Sequence, residues 1–418
     1  MSHPNFIVFL KRFWSSLFVD GNRCIAQYRF LIVIALIIFA IPLVSILLFI
    51  LIWFLFFKKF QPQTVLWLLK KTGRFEIVRN IINLLYLMEN DSGSFFLQME
   101  ECLISHAGVN NTLSIADVTY TRMVLTPLIM DFGSRIKEFD RIHYNKKPVN
   151  KPVAEQTADV FTGIREYSQK SPYRFFEIYP FLGINPVNYS LEKLQEILVR
   201  YFNEYTGRRE ALHSAMGHFS GDVDTMGAHC YAGVKLYPPL GFDPWPNDSM
   251  EHAKVRYLYQ FCSEKNIPLT VHCSDEGFDA LNRDRMLVLT SPFKWECVLK
   301  EYGTLNLNIA HMGKLTGSTV WQEKIIELIL NHENVYTDFS YLAIDDSYYR
   351  KLRAIIDAHD DRLKNKILFG SDFMMVLLKI ESYCQYVNLF RDTKSLSPQE
   401  KHLFCSVNPQ RFLFNQSR

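Results

Sequence analysis

Three short segments in the last third of the chain end an apolar run with a side chain that can bind a metal or move a proton. They are PLTVHCS around His272, LNIAHMG around His311 and ILFGSDF around Asp372. This pattern is typical of a parallel strand whose carboxyl end opens into an active-site loop. Two imidazoles and a carboxylate suit a borderline divalent cation such as zinc, or manganese or iron. A water bound to that cation would have a pKa of about 7 and supply hydroxide at neutral pH.

Three more polar residues follow apolar runs. Lys235, in AGVKLYP, could polarise a substrate carboxylate, or it could pair with a neighbouring acid such as Asp338. Asp338 itself ends the run NVYTD, and Asp131 ends TPLIMD, where substrate contact and helix capping are both open. We therefore treat Lys235, Asp131 and Asp338 as candidate substrate-binding residues.

Strand-like and helix-like segments alternate through the region that must position these side chains. Helical patterns cover 191–205, 249–265, 322–332 and 348–363. The starts of the later strands are spaced by roughly 30–37 residues, the size of one βα unit. The order predicts an α/β protein with a distorted (β/α)₈ TIM barrel over 119–418, in which one strand is missed or degenerated. The seven strand-like runs lie at 122–128, 175–183, 233–238, 268–273, 305–310, 334–339 and 366–369.

The amino-terminal region carries an uncharged apolar run at 30–57. A membrane-spanning helix needs about 20 apolar residues, so this run predicts a single transmembrane helix. We expect a membrane anchor over 1–60, a helical connecting segment over 61–118, and the barrel over 119–418. Basic residues flank the run on both sides, with a slight excess after it, and this favours a cytoplasmic barrel.

Composition limits the possible partners. The net charge is +3, from 46 basic and 43 acidic side chains, so no global basic field favours nucleic acid. The eight cysteines include no Cys-x-x-Cys pair, which predicts free thiols in a reducing compartment rather than disulfides. We expect a small-molecule substrate, and the oligomeric state stays open.

The motifs together resemble those of the amidohydrolase superfamily. AGVKLYP, PLTVHCS, LNIAHMGK, NVYTDFS and ILFGSDF occur in the order found in its amidohydrolase-related group, which includes aminocarboxymuconate-semialdehyde decarboxylase. The resemblance implies a distorted (β/α)₈ barrel with one or two divalent metals. It implies that His272 is a metal ligand on the fifth strand, that His311 on the sixth acts in catalysis or ligation, and that Asp372 on the eighth binds metal or serves as a base.

One family feature is missing from the sequence. Members open with Asp-x-His-x-His on the first strand, whereas this chain has no His-x-His. Three functions therefore stay open: a membrane-anchored, metal-dependent hydrolase acting on an amide, ester or lactone; a metal-dependent decarboxylase; and a catalytically degenerate barrel that binds or scaffolds at the membrane. The predicted anchor also leaves open a membrane enzyme whose substrate is a lipid amide or ester. In the hydrolase, Asp372 would take a proton from water and His311 would polarise the carbonyl or protonate the leaving group.

Overall fold

The described part of the protein begins after the predicted membrane anchor. The computed structural model describes residues 83, 86–87, 90–107, 111–133, 153–216, 230–277 and 281–414. The predicted span at 30–57 lies outside these residues. Within the described ranges, no helix is both long and apolar enough to cross a bilayer. The anchor therefore stays a prediction.

Helices and short strands alternate along the described chain. The strands are β1 (Leu113–Ile115), β2 (Val118–Tyr120), β3 (Met123–Leu125), β4 (Phe176–Ile178), β5 (Phe181–Gly183), β6 (Gly233–Leu236), β7 (Leu269–Val271), β8 (Leu307–Ile309), β9 (Val335–Asp338) and β10 (Ile367–Leu368). The helices are α1 (Ser92–Ala107), α2 (Val153–Lys170), α3 (Leu191–Phe202), α4 (Arg209–Met216), α5 (Ser249–Glu264), α6 (Arg283–Thr290), α7 (Phe293–Glu301), α8 (Val320–Asn331), α9 (Asp346–Asp357), α10 (Phe373–Val376), α11 (Tyr383–Asp392), α12 (Pro398–His402) and α13 (Asn408–Leu413). The seven predicted strand runs and the four predicted helices are confirmed.

A parallel sheet positions the candidate residues. Strands β5 to β10 form six neighbouring parallel strands in chain order, and β3 pairs in parallel with β4. A further parallel bridge joins Leu128 to Phe181, so the segment after β3 also runs beside β5. Because the strands are parallel and consecutive, their carboxyl ends lie along one edge of the sheet.

The sheet departs from the predicted closed barrel. Within the part of the chain that the structure describes, β10 pairs only with β9 and β3 pairs only with β4, so no strand joins these two edges into a closed barrel. The parallel α/β class is confirmed, whereas an eighth strand that would complete a barrel is not among the described elements. The hairpin of β1 and β2 was not predicted, because its two strands of three residues are too short to give a periodic pattern.

Helix α1 contacts elements near both ends of the strand order. On one side, Glu100 accepts hydrogen bonds from the Tyr167 hydroxyl on α2 and from the Phe175 amide just before β4. On the other side, the Phe95 ring lies 5.5 Å from the Phe373 ring, which follows β10. A helix therefore connects the two regions that an additional strand would join in a closed barrel.

A disulfide also ties α1 to the rest of the fold. Cys102 on α1 is bonded to Cys384 on α11, across 282 positions of the sequence. The prediction that the cysteines are all free thiols is wrong for this pair, because folding brings their Cα atoms to 6.0 Å, within bridging range. The five free cysteines among the described residues are Cys230, Cys262, Cys273, Cys297 and Cys405.

We expect Glu100→Ala to destabilise the protein by about 3 kcal/mol, because it leaves buried donors without an acceptor. Glu100 is 1% exposed and also accepts a 2.6 Å hydrogen bond from Ser171. The measurement is the free energy of unfolding from urea titration. Glu101→Ala, at the exposed neighbouring position, is the matched control and should change this free energy by less than about 0.5 kcal/mol. Equal effects of the two variants would contradict the role given to Glu100.

Candidate active site

A cavity of about 480 Å³ lies where the strands β6 to β10 end. Five of the six predicted site residues line it. Each comes from the end of a different strand or the loop directly after it, which explains how residues far apart in sequence meet. The five residues are Lys235, His272, His311, Asp338 and Asp372.

The two candidate histidines bind each other. His272 Nε2 lies 2.8 Å from the Glu276 carbonyl oxygen, which can only accept, so this nitrogen carries a proton. Burial, the His311 imidazole and the Lys235 charge lower the pKa of His272 well below its usual value. The His272 ring is therefore neutral, and its unprotonated Nδ1 accepts a 3.2 Å hydrogen bond from His311 Nε2.

The second nitrogen of His311 faces Ser340. His311 Nδ1 lies 2.9 Å from the Ser340 hydroxyl and 3.1 Å from the Ser340 carbonyl oxygen. The same hydroxyl donates to Asp338 Oδ1 at 2.5 Å. Asp338, Ser340, His311 and His272 thus form one continuous hydrogen-bonded chain, which fixes the orientation of both rings.

Asp338 is the fully bonded end of this chain. Its Oδ1 accepts from the backbone amides of His311 and Ser340, and its Oδ2 accepts from Asn308. Burial raises the pKa of Asp338, but the His311 imidazole and the hydrogen bonds outweigh burial and leave the pKa below its usual value. Asp338 is therefore an ionised anchor for the neighbouring loops, and its oxygens are already in use.

Lys235 is a buried cation that faces the cavity. It is 5% exposed, and no described side chain pairs with its ammonium within 4 Å or hydrogen-bonds to it. The alternative of a close ion pair with Asp338 is therefore not observed. Burial lowers the pKa of Lys235 to about 8, although Asp372 and Asp338 act in the opposite direction. At neutral pH most of the lysine is charged, and it titrates close to the physiological range.

Asp372 provides the second unbonded head group. Asp372 is exposed towards the cavity, and the surrounding protein nevertheless raises the pKa of its carboxyl, while the His311 and Lys235 charges oppose this shift. Among the described side chains, none donates a hydrogen bond to this carboxylate. A carboxylate with a raised pKa is a stronger base than an ordinary one.

Two of the central residues hold an unusual backbone conformation. His311 has φ = 62° and Asp372 has φ = 52°, in the left-handed region that few residues other than glycine adopt. Strain of this kind persists where the surrounding structure requires it, and it clusters at functional sites. Met312 next to His311 and Tyr341 in the cavity lining share this conformation, at φ = 49° and φ = 65°, so the strain extends over the loops around the two catalytic candidates.

Asp131 lies apart from the cavity lining. Its Oδ2 accepts from the Asn185 amide at 2.9 Å and from the Tyr189 hydroxyl at 2.7 Å, and its Oδ1 accepts from Asn188 at 3.0 Å. Burial raises the pKa of Asp131 against these hydrogen bonds. The structure thus gives Asp131 a loop-fixing place after β5, rather than the substrate contact or helix cap considered from the sequence.

The donor groups as arranged do not fit a divalent metal. A catalytic zinc needs about three protein ligands with free lone pairs. The only unprotonated nitrogen of His272 accepts from His311, and the oxygens of Asp338 are occupied, which leaves Asp372. In the described ranges, no three His, Cys, Asp or Glu side chains are placed to hold an ion. The expected zinc, manganese or iron stays a prediction that comes from the family resemblance.

Two contributors to the site were missed by sequence reasoning. Ser340 links Asp338 to His311, and its position two residues after a strand-end aspartate was the available signal. Helix α1 supplies Phe95, Phe96 and Met99 to the cavity lining. No sequence signal marked α1, because its apolar positions look like any helix that packs on a core.

Sequence comparison relates the part of the chain that contains the site to a known family. A family model described as amidohydrolase matches residues 212–414, just under half of the chain, and this stretch contains five of the predicted site residues. Residues 212–414 are therefore related to the amidohydrolases, and the resemblance read from the motifs is confirmed. Amidohydrolases are enzymes that usually bind divalent metals, so the match supports the expectation of an enzyme. No curated protein matches the chain.

Several solved structures are similar in part. A probable 2-pyrone-4,6-dicarboxylic acid hydrolase from Acinetobacter baumannii is 10% identical with a TM-score of 0.42, over 70% of this chain and 99% of that one. A dihydroorotase from Campylobacter jejuni is 15% identical with a TM-score of 0.37, over 78% and 80%. A uronate isomerase from Bacillus halodurans is 12% identical with a TM-score of 0.38, over 76% and 68%. Because these TM-scores lie below 0.5, the family assignment rests on the sequence match.

Proposed function

We propose that the chain is an amidohydrolase-type hydrolase that adds water to an amide, ester or lactone carbonyl. One observation carries the proposal. Lys235 and Asp372 face the same cavity, and among the described side chains none forms an ion pair or a hydrogen bond with either head group. The Lys235 ammonium lies 5.7 Å from the centroid of the Tyr237 ring, which leaves its hydrogen-bond donors available. A cation and a base held apart in one cavity suit the polarisation of a carbonyl and the deprotonation of a water.

The reaction needs only these two groups and a water. The substrate carbonyl oxygen faces the Lys235 ammonium, and Asp372 takes a proton from the water as its oxygen bonds to the carbonyl carbon. The ammonium stabilises the resulting oxyanion. As the carbonyl re-forms, the bond to the leaving nitrogen or oxygen breaks, and Asp372 returns the proton to it. The products are a carboxylic acid and an amine or alcohol.

The histidine pair has a supporting role in this proposal. Both ring nitrogens of His311 are engaged, one with His272 and one with Ser340, so His311 does not face the substrate with a free proton. We therefore assign the transfer of the leaving-group proton to Asp372 and treat His311 as a positioning residue. Its hydrogen bonds fix the loop beside Asp338, and its ring contributes to the field at Asp372.

We expect hydrolytic activity to survive metal removal, because the potential metal ligands His272, His311 and Asp338 are already hydrogen-bonded to other protein groups. The experiment uses the full-length chain, screened on amides, esters and lactones before and after chelation, with metal content measured by elemental analysis. Retention of kcat/KM within about twofold is the expected result. A loss that added zinc, manganese or iron restores would show that the enzyme has the metal dependence usual in its family. Carbon dioxide release without hydrolysis would favour the decarboxylase, and no turnover would favour a non-catalytic binding module.

We also propose an architecture for the whole chain. The sheet derives from a (β/α)₈ barrel in which α1 takes the place of the first strand, and 30–57 anchor 119–418 to a membrane through the segment 61–118. The absence of a charge over 30–57 supports the anchor. We expect full-length protein to stay with membranes after alkaline carbonate washing. Release of the protein by that wash would contradict the anchor and leave the catalytic proposal intact.

A further inference from the structure

The cavity has a polar wall and an apolar wall. The polar wall contains the strand-end residues described above. The apolar wall begins directly beside Asp372, where Phe373 contacts Phe95 of α1 at 5.5 Å. It continues along α1 and along the segment that includes β3. Five of the chain's 12 methionines line the cavity: Met99, Met123, Met130, Met374 and Met375.

The methionines indicate what kind of group the apolar wall accommodates. Methionine is unbranched and polarisable, so a wall rich in it adapts to flexible apolar groups. Met99 is buried on α1, whereas Met123, Met374 and Met375 are only half-buried. Leu128, which also lines the cavity, is 40% exposed. Part of the apolar wall is therefore left exposed to the cavity by the described residues.

The charges of the lining argue against a polyanionic substrate. Among the described lining residues, Lys235 is the only lysine or arginine. Four acids share the lining with it: Asp159, Glu276, Asp338 and Asp372. Glu276 is already paired with Lys314 and Lys379. A ligand with two or more carboxylates or phosphates would therefore find one lysine ammonium in the described lining, whereas a neutral carbonyl group needs only that ammonium.

We propose that the substrate is a neutral ester, amide or lactone that carries a flexible apolar chain. Its carbonyl lies between Lys235 and Asp372, and its chain lies along the methionine-rich wall towards α1. This inference rests on the proposed hydrolase function and adds the substrate class to it. A cavity of about 480 Å³ falls within the range of sites that hold small organic ligands.

The test is a series of p-nitrophenyl esters from acetate to octanoate, hydrolysed by the full-length protein. Burial of each methylene contributes roughly fourfold to binding. We expect kcat/KM to rise at least about tenfold from acetate to octanoate, corrected for the uncatalysed rates. Met123→Gln should cut that gain severalfold. Met250→Gln is the matched control, because Met250 is 76% exposed and lies outside the cavity lining, and it should leave the gain unchanged.

Binding of alkan-2-ones separates the two proposals, since these compounds carry the carbonyl and the chain but cannot be hydrolysed. We expect affinity to rise from butanone to decanone and to fall in Met123→Gln. Ketone binding with this trend but no ester turnover would overturn the hydrolase and support the cavity assignment. Ester turnover without a chain-length trend would overturn the apolar substrate class alone. Absence of ketone binding, as when another segment of the chain fills the cavity, would overturn it as well.

Discussion

We expect Asp372→Asn to lower kcat/KM by about 10³-fold, the largest effect of any single substitution in this site. Removal of a general base typically costs 10² to 10⁴ in rate. Asparagine keeps the shape of the side chain but cannot accept the proton from water. The measurement is steady-state hydrolysis of the best substrate from the screen, with each variant compared with the unmodified chain.

A stability measurement and a control variant test whether Asp372→Asn acts by removing the base or by disturbing the fold. The surrounding protein raises the pKa of Asp372 and so disfavours its carboxylate form, and removing its charge should therefore not lower the thermal unfolding midpoint. Asp361→Asn removes a carboxylate from a side chain that is 83% exposed, and it should leave kcat/KM within about twofold. A rate for Asp372→Asn within tenfold of the unmodified chain, with normal folding, would remove Asp372 from the role of base.

Lys235→Met is expected to lower kcat/KM by about 10²-fold or more, because loss of one donor to an oxyanion typically costs 10² to 10³ in rate. Methionine preserves the length of the side chain without its charge. The pH profile gives an independent readout. Since Lys235 acts as the protonated form and its pKa is about 8, activity should fall as pH rises through about 8. Lys235→Arg should remove this basic limb, since arginine stays charged.

The Lys235→Met variant also distinguishes a lysine that contacts the substrate carbonyl from one that only supports the fold. If Lys235 only supports the fold, Lys235→Met should lower stability and leave the pH profile of the remaining activity unchanged. If Lys235 contacts the carbonyl, Lys235→Met should abolish the fall in activity near pH 8 with little loss of stability. Retention of both rate and limb in Lys235→Met would contradict the assignment.

The sequence predicted the strand ends well because strand periodicity is local. His272, His311 and Asp372 each follow a short apolar run, and short apolar runs bounded by small residues are strands in a parallel sheet. Since parallel strands end on one side of the sheet, convergence of these residues on one cavity followed from chain order alone.

The rest depended on contacts that sequence does not encode locally. The hydrogen bond between His272 and His311 is a matter of ring orientation, and strand position cannot show it. The pairing of Cys102 with Cys384 and the place of α1 beside Phe373 join segments far apart in the chain. The role of Asp131 stayed open in the sequence, because a strand-end acid looks the same whether it faces a cavity or fixes a loop.

A double-mutant cycle on Lys235 and Asp372 tests most directly whether these two residues act together on the substrate carbonyl. If both groups act on one carbonyl, the variant carrying Lys235→Met and Asp372→Asn should be no slower than the worse single variant, within about threefold, because groups that act as a unit are non-additive. The measured quantity is kcat/KM of metal-depleted full-length protein. Multiplication of the two single effects, or full activity in either single variant, would contradict the account.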